Sequence, residues 1–199
     1  MVRPTNYSSV GIDERFLNFR RDLVYFTLEC KGSSDVSLMK KFIQLMERIW
    51  MRCMVSKGLF GHKVELKDVT EANYVNQLNI LPRVDLVIFH GSYTTFMEIL
   101  YHGKPMIVLP LYEDGHDIGG RVEDCKVGKC LDPYEVTRIE FVTTMLEVLE
   151  DEKMKAKVQN MRKTEHVTAA ELNSRPFQAV KGAKNPGVAE GGASSCSTS

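Results

Sequence analysis

The sequence predicts an α/β protein with a Rossmann-like, doubly wound parallel sheet, on three observations. First, apolar strand-like runs alternate with amphipathic helix-like stretches from about residue 22 to residue 166, which is the signature of parallel α/β architecture. Second, VDLVIFH (84–90) is apolar without in–out alternation, as a strand covered on both faces must be. Third, Leu38, Phe42, Leu45, Met46 and Ile49 fall on one face of a helical period, and that face needs a sheet to cover it.

Each element follows from its residues. DLVYFTLEC (22–30) is the first strand, and KGSSD after it is a turn with Ser34 or Asp35 as helix cap. The helix runs from about Val36 to Ile49. RCMVS is the second strand, LNILP a short third and VDLVIFH a fourth, which lies centrally. A helix over about Thr94 to His102 is ended by Gly103 and Pro105. The strand MIVLP, a loop YEDGHD, a helix from about Ile118 and the strand GKCLD come next. Thr137 caps a helix reaching about Glu150, and Asp151 to about Asn160 forms another. Residues 1–21 are polar and read as an extension or remnant linker, residues 22–166 as the domain, and residues 167–199, rich in Gly, Ala, Ser and Pro, as a disordered tail.

Composition narrows the function. With 43% hydrophobic and 26% charged residues the chain is an ordinary globular one. Lys+Arg and Asp+Glu both total 26, and no long basic stretch exists to neutralise a nucleic-acid backbone or anionic lipid. Small molecules or proteins are the expected partners. Cys30, Cys53, Cys125, Cys130 and Cys196 show no CxxC and no following His pair, so reduced structural thiols are expected rather than zinc or disulfides. Neither a signal-peptide core nor a run of about 18 apolar residues is seen, so the chain reads as soluble and cytoplasmic.

The stretch FHGSYTTFMEIL (89–100) carries the chemistry. It lies where the central strand ends, and ligands of doubly wound sheets bind at carboxyl ends. A helix starting at Tyr93 or Thr94 would aim free N–H groups into the crevice and favour an anion, phosphate being the natural one. Gly91 lets backbone approach that anion, Thr94 and Thr95 can donate hydroxyl hydrogen bonds, and His90 can donate a ring N–H. Taken alone, the same residues also describe a turn at Gly91, a Ser92 cap and a buried, satisfied His90.

Read at full length, HGSYTTFMEILYHGKPMIVLPLYED (90–114) resembles the donor-binding signature of family 1 glycosyltransferases, the UDP-glycosyltransferases that include the UDP-glucuronosyltransferases. VYFTLECKGSSDVSLMKKFI, LPRVDLVIFHG and RIEFVTTMLEVLEDEKMKAKV extend the resemblance over roughly residues 20–165. It implies the C-terminal half of a GT-B fold, without the N-terminal domain that holds the acceptor pocket and the catalytic His. It also implies a UDP-sugar as donor substrate and no metal or other cofactor. By position, His90, Gly91, Thr94 and Thr95 would meet the diphosphate, Glu98 the ribose hydroxyls, Gln77 the uracil edge and Asp114 the donor sugar. A carboxylate suits the ribose because it accepts from two neighbouring hydroxyls without a competing donor. Surface-glutamine, exposed-helix and turn-aspartate readings of Gln77, Glu98 and Asp114 stay open here.

Departures from the family pattern point elsewhere. Glu29 and Cys30 stand where a small Gly-Ser pair is usual, placing a carboxylate near the expected diphosphate, where like charges weaken binding. Gly115 replaces the sugar-holding Gln, Ile118 the following Asn, Ser92 a second Gly, and Asn76 the Pro ahead of Gln77. None of His62, His90, His102, His116 and His166 is identifiable as a general base. The full-length relatives often sit in the endoplasmic reticulum membrane by a C-terminal helix. Two readings follow: the UDP-sugar-binding half of a glycosyltransferase, inactive by itself, or a non-catalytic nucleotide-binding or interaction module that pairs with full-length relatives.

Overall fold

The computed structural model describes residues 22–46, 51–58, 61–63, 70–72 and 75–163. The extension expected over residues 1–21, the tail expected over residues 167–199 and the last turn of the helix expected to reach Ile49 lie outside them.

Among the described residues, six parallel strands form one sheet: β1 (Leu23–Thr27), β2 (Arg52–Ser56), β3 (Thr70–Ala72), β4 (Leu86–Phe89), β5 (Met106–Val108) and β6 (Gly128–Cys130). Their order is β3-β2-β1-β4-β5-β6. The order reverses between β1 and β4, and that reversal opens a crevice at the carboxyl ends of the two central strands. β1 and β4 are buried along their whole length, as their unbroken apolar sequences require. A clasp holds their register: the Asp85 carboxylate accepts from the Leu23 N–H at 2.8 Å, and the Leu23 carbonyl accepts from the Asp85 N–H at 2.8 Å.

The helices are α1 (Glu29–Gly32), α2 (Val36–Met46), α3 (Gln77–Ile80), α4 (Tyr93–Tyr101), α5 (Glu113–Asp124), α6 (Arg138–Glu150) and α7 (Glu152–Lys163). On one face of the sheet the apolar stripe of α2 meets α6, where Phe42 lies 5.6 Å from Phe26 and 5.3 Å from Phe141, ring centre to ring centre. Each such fully buried aromatic contributes about 2 to 3 kcal/mol by leaving water. The helix starts have chemical causes. Asp35, not Ser34, caps α2, accepting from the Leu38 N–H at 2.9 Å. Thr137 and Glu140 form a reciprocal capping box on α6. Asp151 accepts from the Met154 N–H at 2.9 Å and so starts α7.

Two expectations are corrected. LNILP is not a strand: α3 covers Gln77–Ile80, and a single 3-10 turn over Leu81–Arg83 follows it. The third strand is instead the short β3, which pairs with β2 through Met54 and Thr70. YEDGHD is not a loop either, because α5 begins at Glu113 and takes in Asp114 and Gly115. No helix among the described residues is long and apolar enough to cross a membrane.

Candidate functional site

At the carboxyl edge, β1 and β4 each run into a residue with positive φ, Glu29 at 54° and Gly91 at 91°. Gly91 cannot be replaced without movement, since a Cβ there would lie 2.6 Å from the Gly115 Cα and 3.1 Å from the Val108 side chain. Gly115 is confined in the same way, with a Cβ 2.7 Å from the His90 carbonyl oxygen. The start of α5 therefore rests directly on the turn after β4. A glutamine at position 115 has no room in this packing.

Ser92 caps α4, accepting from the Thr95 N–H at 3.4 Å. Its hydroxyl also donates to the Glu29 carboxylate at 2.5 Å, and the Thr95 hydroxyl donates to the same oxygen. A carboxylate thus occupies the N-terminal end of α4, the position that unpaired N–H groups and the helix dipole make favourable for negative charge. The network continues through Gln77, whose amide nitrogen donates to the Thr95 hydroxyl at 3.2 Å and to the Glu98 carboxylate at 2.6 Å. The buried Tyr25 phenol donates to the Gln77 carbonyl at 3.4 Å. Glu98 is held rather than free to wander, while its carboxylate keeps lone pairs for a diol.

His90 directly follows β4 with 6% of its surface exposed, and its Nδ1 is buried with no hydrogen-bond partner among the described residues. A buried polar atom in that state is costly unless something else meets it. Burial lowers the imidazole pKa below its usual value, the Glu29 carboxylate pulls it up and Lys31 pushes it down. The Tyr112 ring stands edge-on to the imidazole at 6.2 Å, and the Lys31 ammonium lies 4.1 Å from the same ring centre.

The structure therefore brings Gln77, Thr95 and Glu98 together and sets His90 and Gly91 beside them on the strand end. Thr94 and Asp114 are exposed, and no described contact ties them to this network. Tyr25, Lys31 and Tyr112 had not been singled out from sequence. Tyr25 reads as an ordinary core residue of β1, and only the fold carries it to Gln77. Cys53 is buried and its thiol is pushed up to about 12, as a structural thiol should be, whereas Cys30 lies exposed next to Glu29. No group of three or more His, Cys, Asp or Glu side chains among the described residues is arranged to hold a metal ion.

The architecture is shared with solved glycosyltransferases. The glycosyltransferase of kitacinnamycin matches with a TM-score of 0.67 at 18% identity over 82% of this chain and 43% of its own. The spinosyn forosaminyltransferase SpnP matches at 0.65 and 20% identity over 81% of this chain and 43% of its own. The fold is the C-terminal, Rossmann-like half of a GT-B glycosyltransferase fold.

Sequence comparison carries the assignment one step further. Residues 72–170 match the family described as UDP-glucoronosyl and UDP-glucosyl transferase. Mouse (Mus musculus) UDP-glucuronosyltransferase 3A1 is 32% identical over 97 residues, 45% of this chain and 18% of that protein. UDP-glycosyltransferase UGT4 of Dactylopius coccus is 29% identical over 127 residues, 63% of this chain and 24% of that protein. The chain belongs to the UDP-glycosyltransferase family, and it spans about a fifth to a quarter of the length of these curated relatives.

Proposed function

We propose that the chain is the nucleotide-sugar-binding half of a UDP-glycosyltransferase, taking up the UDP portion of a glucuronosyl or glucosyl donor. The observation that carries this reading is the hydrogen-bonded set of Gln77, Thr95 and Glu98 beside the unpartnered His90 Nδ1 at the sheet's switch point. In this reading Glu98 accepts from the ribose hydroxyls. Gln77 orients Glu98 and can exchange one of its bonds for the uracil edge. His90, Gly91, Thr94 and Thr95 face the phosphates, and the exposed Asp114 reaches the donor sugar. Protein groups alone hold the ligand, with no metal or further cofactor. Transfer to a small lipophilic acceptor hydroxyl requires the acceptor pocket and general base of an N-terminal domain.

Calorimetry is the test. Saturable binding of UDP or uridine at millimolar concentration is expected, and Glu98→Ala should weaken it by about 1 to 3 kcal/mol by removing charge-assisted hydrogen bonds. No heat from either ligand overturns the donor-site reading, and an unchanged affinity in the variant removes the ribose role of Glu98.

A second reading is favoured by the Glu29 carboxylate at the N-terminal end of α4: a non-catalytic nucleotide-binding or interaction module that pairs with full-length relatives. We expect the purified chain to show no transfer from UDP-glucose or UDP-glucuronate; turnover would remove this reading. The free thiols Cys30, Cys53, Cys125 and Cys130 support a reducing, cytoplasmic compartment for the chain.

A further inference from the structure

We propose that Glu29 is a resident anion in the diphosphate position, and that it makes this site a reader of the uncharged nucleoside rather than of the nucleoside diphosphate. The inference rests on the nucleoside part of the donor-site reading above, the roles given to Glu98 and Gln77, and narrows its phosphate part. Three observations carry it. The Glu29 carboxylate accepts from both hydroxyls, Ser92 and Thr95, that stand at the start of α4. Thr95 is among the groups assigned above to the phosphates, and one oxygen of Glu29 engages both it and the capping Ser92. The backbone at Glu29 adopts φ 54°, a left-handed conformation that strains a side-chain-bearing residue. The strain is sustained because the turn is closed by the Glu29 N–H on the Thr27 hydroxyl at 3.1 Å, and because it delivers the carboxylate to α4.

The nucleoside groups lie further along the same network and are ordered by it. Glu29 holds Thr95, Thr95 accepts from Gln77, and Gln77 holds Glu98. A neutral ribose and uracil can meet Glu98 and Gln77 while Glu29 stays in place. A diphosphate must either displace the carboxylate from the helix end or lie beside it with like charge. Glu29 is therefore a specificity-determining residue: it turns away the charged half of the nucleotide and leaves the neutral half free to bind.

The experiment is calorimetry of the full chain with uridine and with UDP in one buffer, repeated for Glu29→Gln and Glu29→Gly. Glutamine keeps an acceptor oxygen for Ser92 and Thr95 but removes the charge; glycine suits the positive φ and empties the position. The wild-type chain is expected to bind uridine at least as tightly as UDP. Glu29→Gln should tighten UDP about tenfold or more and leave uridine within about threefold, and Glu29→Gly should also shift the ratio toward UDP. A wild-type chain that prefers UDP to uridine, or a ratio unmoved in both variants, overturns the inference and leaves the donor-site reading standing. Failure of both ligands to bind any of the three proteins overturns the donor-site reading itself.

Discussion

β1 and β4 are neighbours, both central, and both leave the sheet through a residue with positive φ, but the two exits are made of opposite materials. After β4 the residue is Gly91, and nothing larger fits, because the Gly115 backbone lies where a Cβ would go. After β1 it is Glu29, whose side chain is turned toward α4 and tied down by Ser92 and Thr95. The chain makes a left-handed turn at both places. The turn does not dictate what fills the space beyond. At one exit the space is filled by packed backbone, at the other by a charge.

Substitutions can break or sharpen this contrast. Gly91→Ala is expected to cost about 3 kcal/mol or more, summing left-handed strain and the clash with α5; denaturant unfolding measures it, and a loss under about 1 kcal/mol would mean that α5 gives way freely. At the other exit Glu29→Ala keeps the strain and loses the hydroxyl bonds, whereas Glu29→Gly loses the bonds and relieves the strain. Alanine should therefore be the less stable variant by about 1 kcal/mol. Equal melting temperatures for the pair would show that the turn at residue 29 is not strained in solution.

The smallest effect concerns pH. His90 titrates below its ordinary value of 6.5, chiefly through burial. The unfolded chain then binds the proton first on acidification, so the folded state loses stability as pH falls through 6.5 toward the lowered folded value. His90→Gln should flatten the fall in melting temperature between about pH 8 and about pH 5. It should not abolish the fall, since His102 is lowered as well. An unaltered slope would mean that the imidazole gains its proton at no expense to the fold.

Legibility from sequence followed the length and apolarity of each element. β1, β2, β4 and β5 announce themselves as apolar runs, and the periodic stripe of α2 fixes both its type and its buried face. β3 is three residues, Thr70–Ala72, with no apolar run to mark it. LNILP is one helical turn ahead of Pro82, too short for a period to show, and its leucines and isoleucine mimic a strand. Gly115, in the polar run YEDGHD, made the first turns of α5 read as loop. It is small because the helix is pressed on its neighbours: a Cβ there would lie 2.7 Å from the His90 carbonyl oxygen, and one at Gly119 would lie 2.5 Å from the Cys130 sulfur. In the candidate site, the motif spacing singled out His90, Gly91, Thr95 and Glu98, which the fold places near one another, and the residue at position 29 stood out as a carboxylate beside them. The Gln77 to Glu98 bond, across 21 residues, and the Ser92 to Glu29 bond, across 63, had no local pattern to betray them.

The Asp85 clasp on Leu23 joins groups 62 residues apart. Closing so large a loop is entropically expensive before any native contact repays it, and parallel pairings of this kind make for slow folding. β1, α2 and β2 can assemble from nearby sequence; β4 must arrive from far along the chain. Until it docks, β1 is an open, apolar strand edge, the sort that pairs with the wrong chain. The crevice between β1 and β4 comes into being only with that docking, the pairing of longest reach in the sheet.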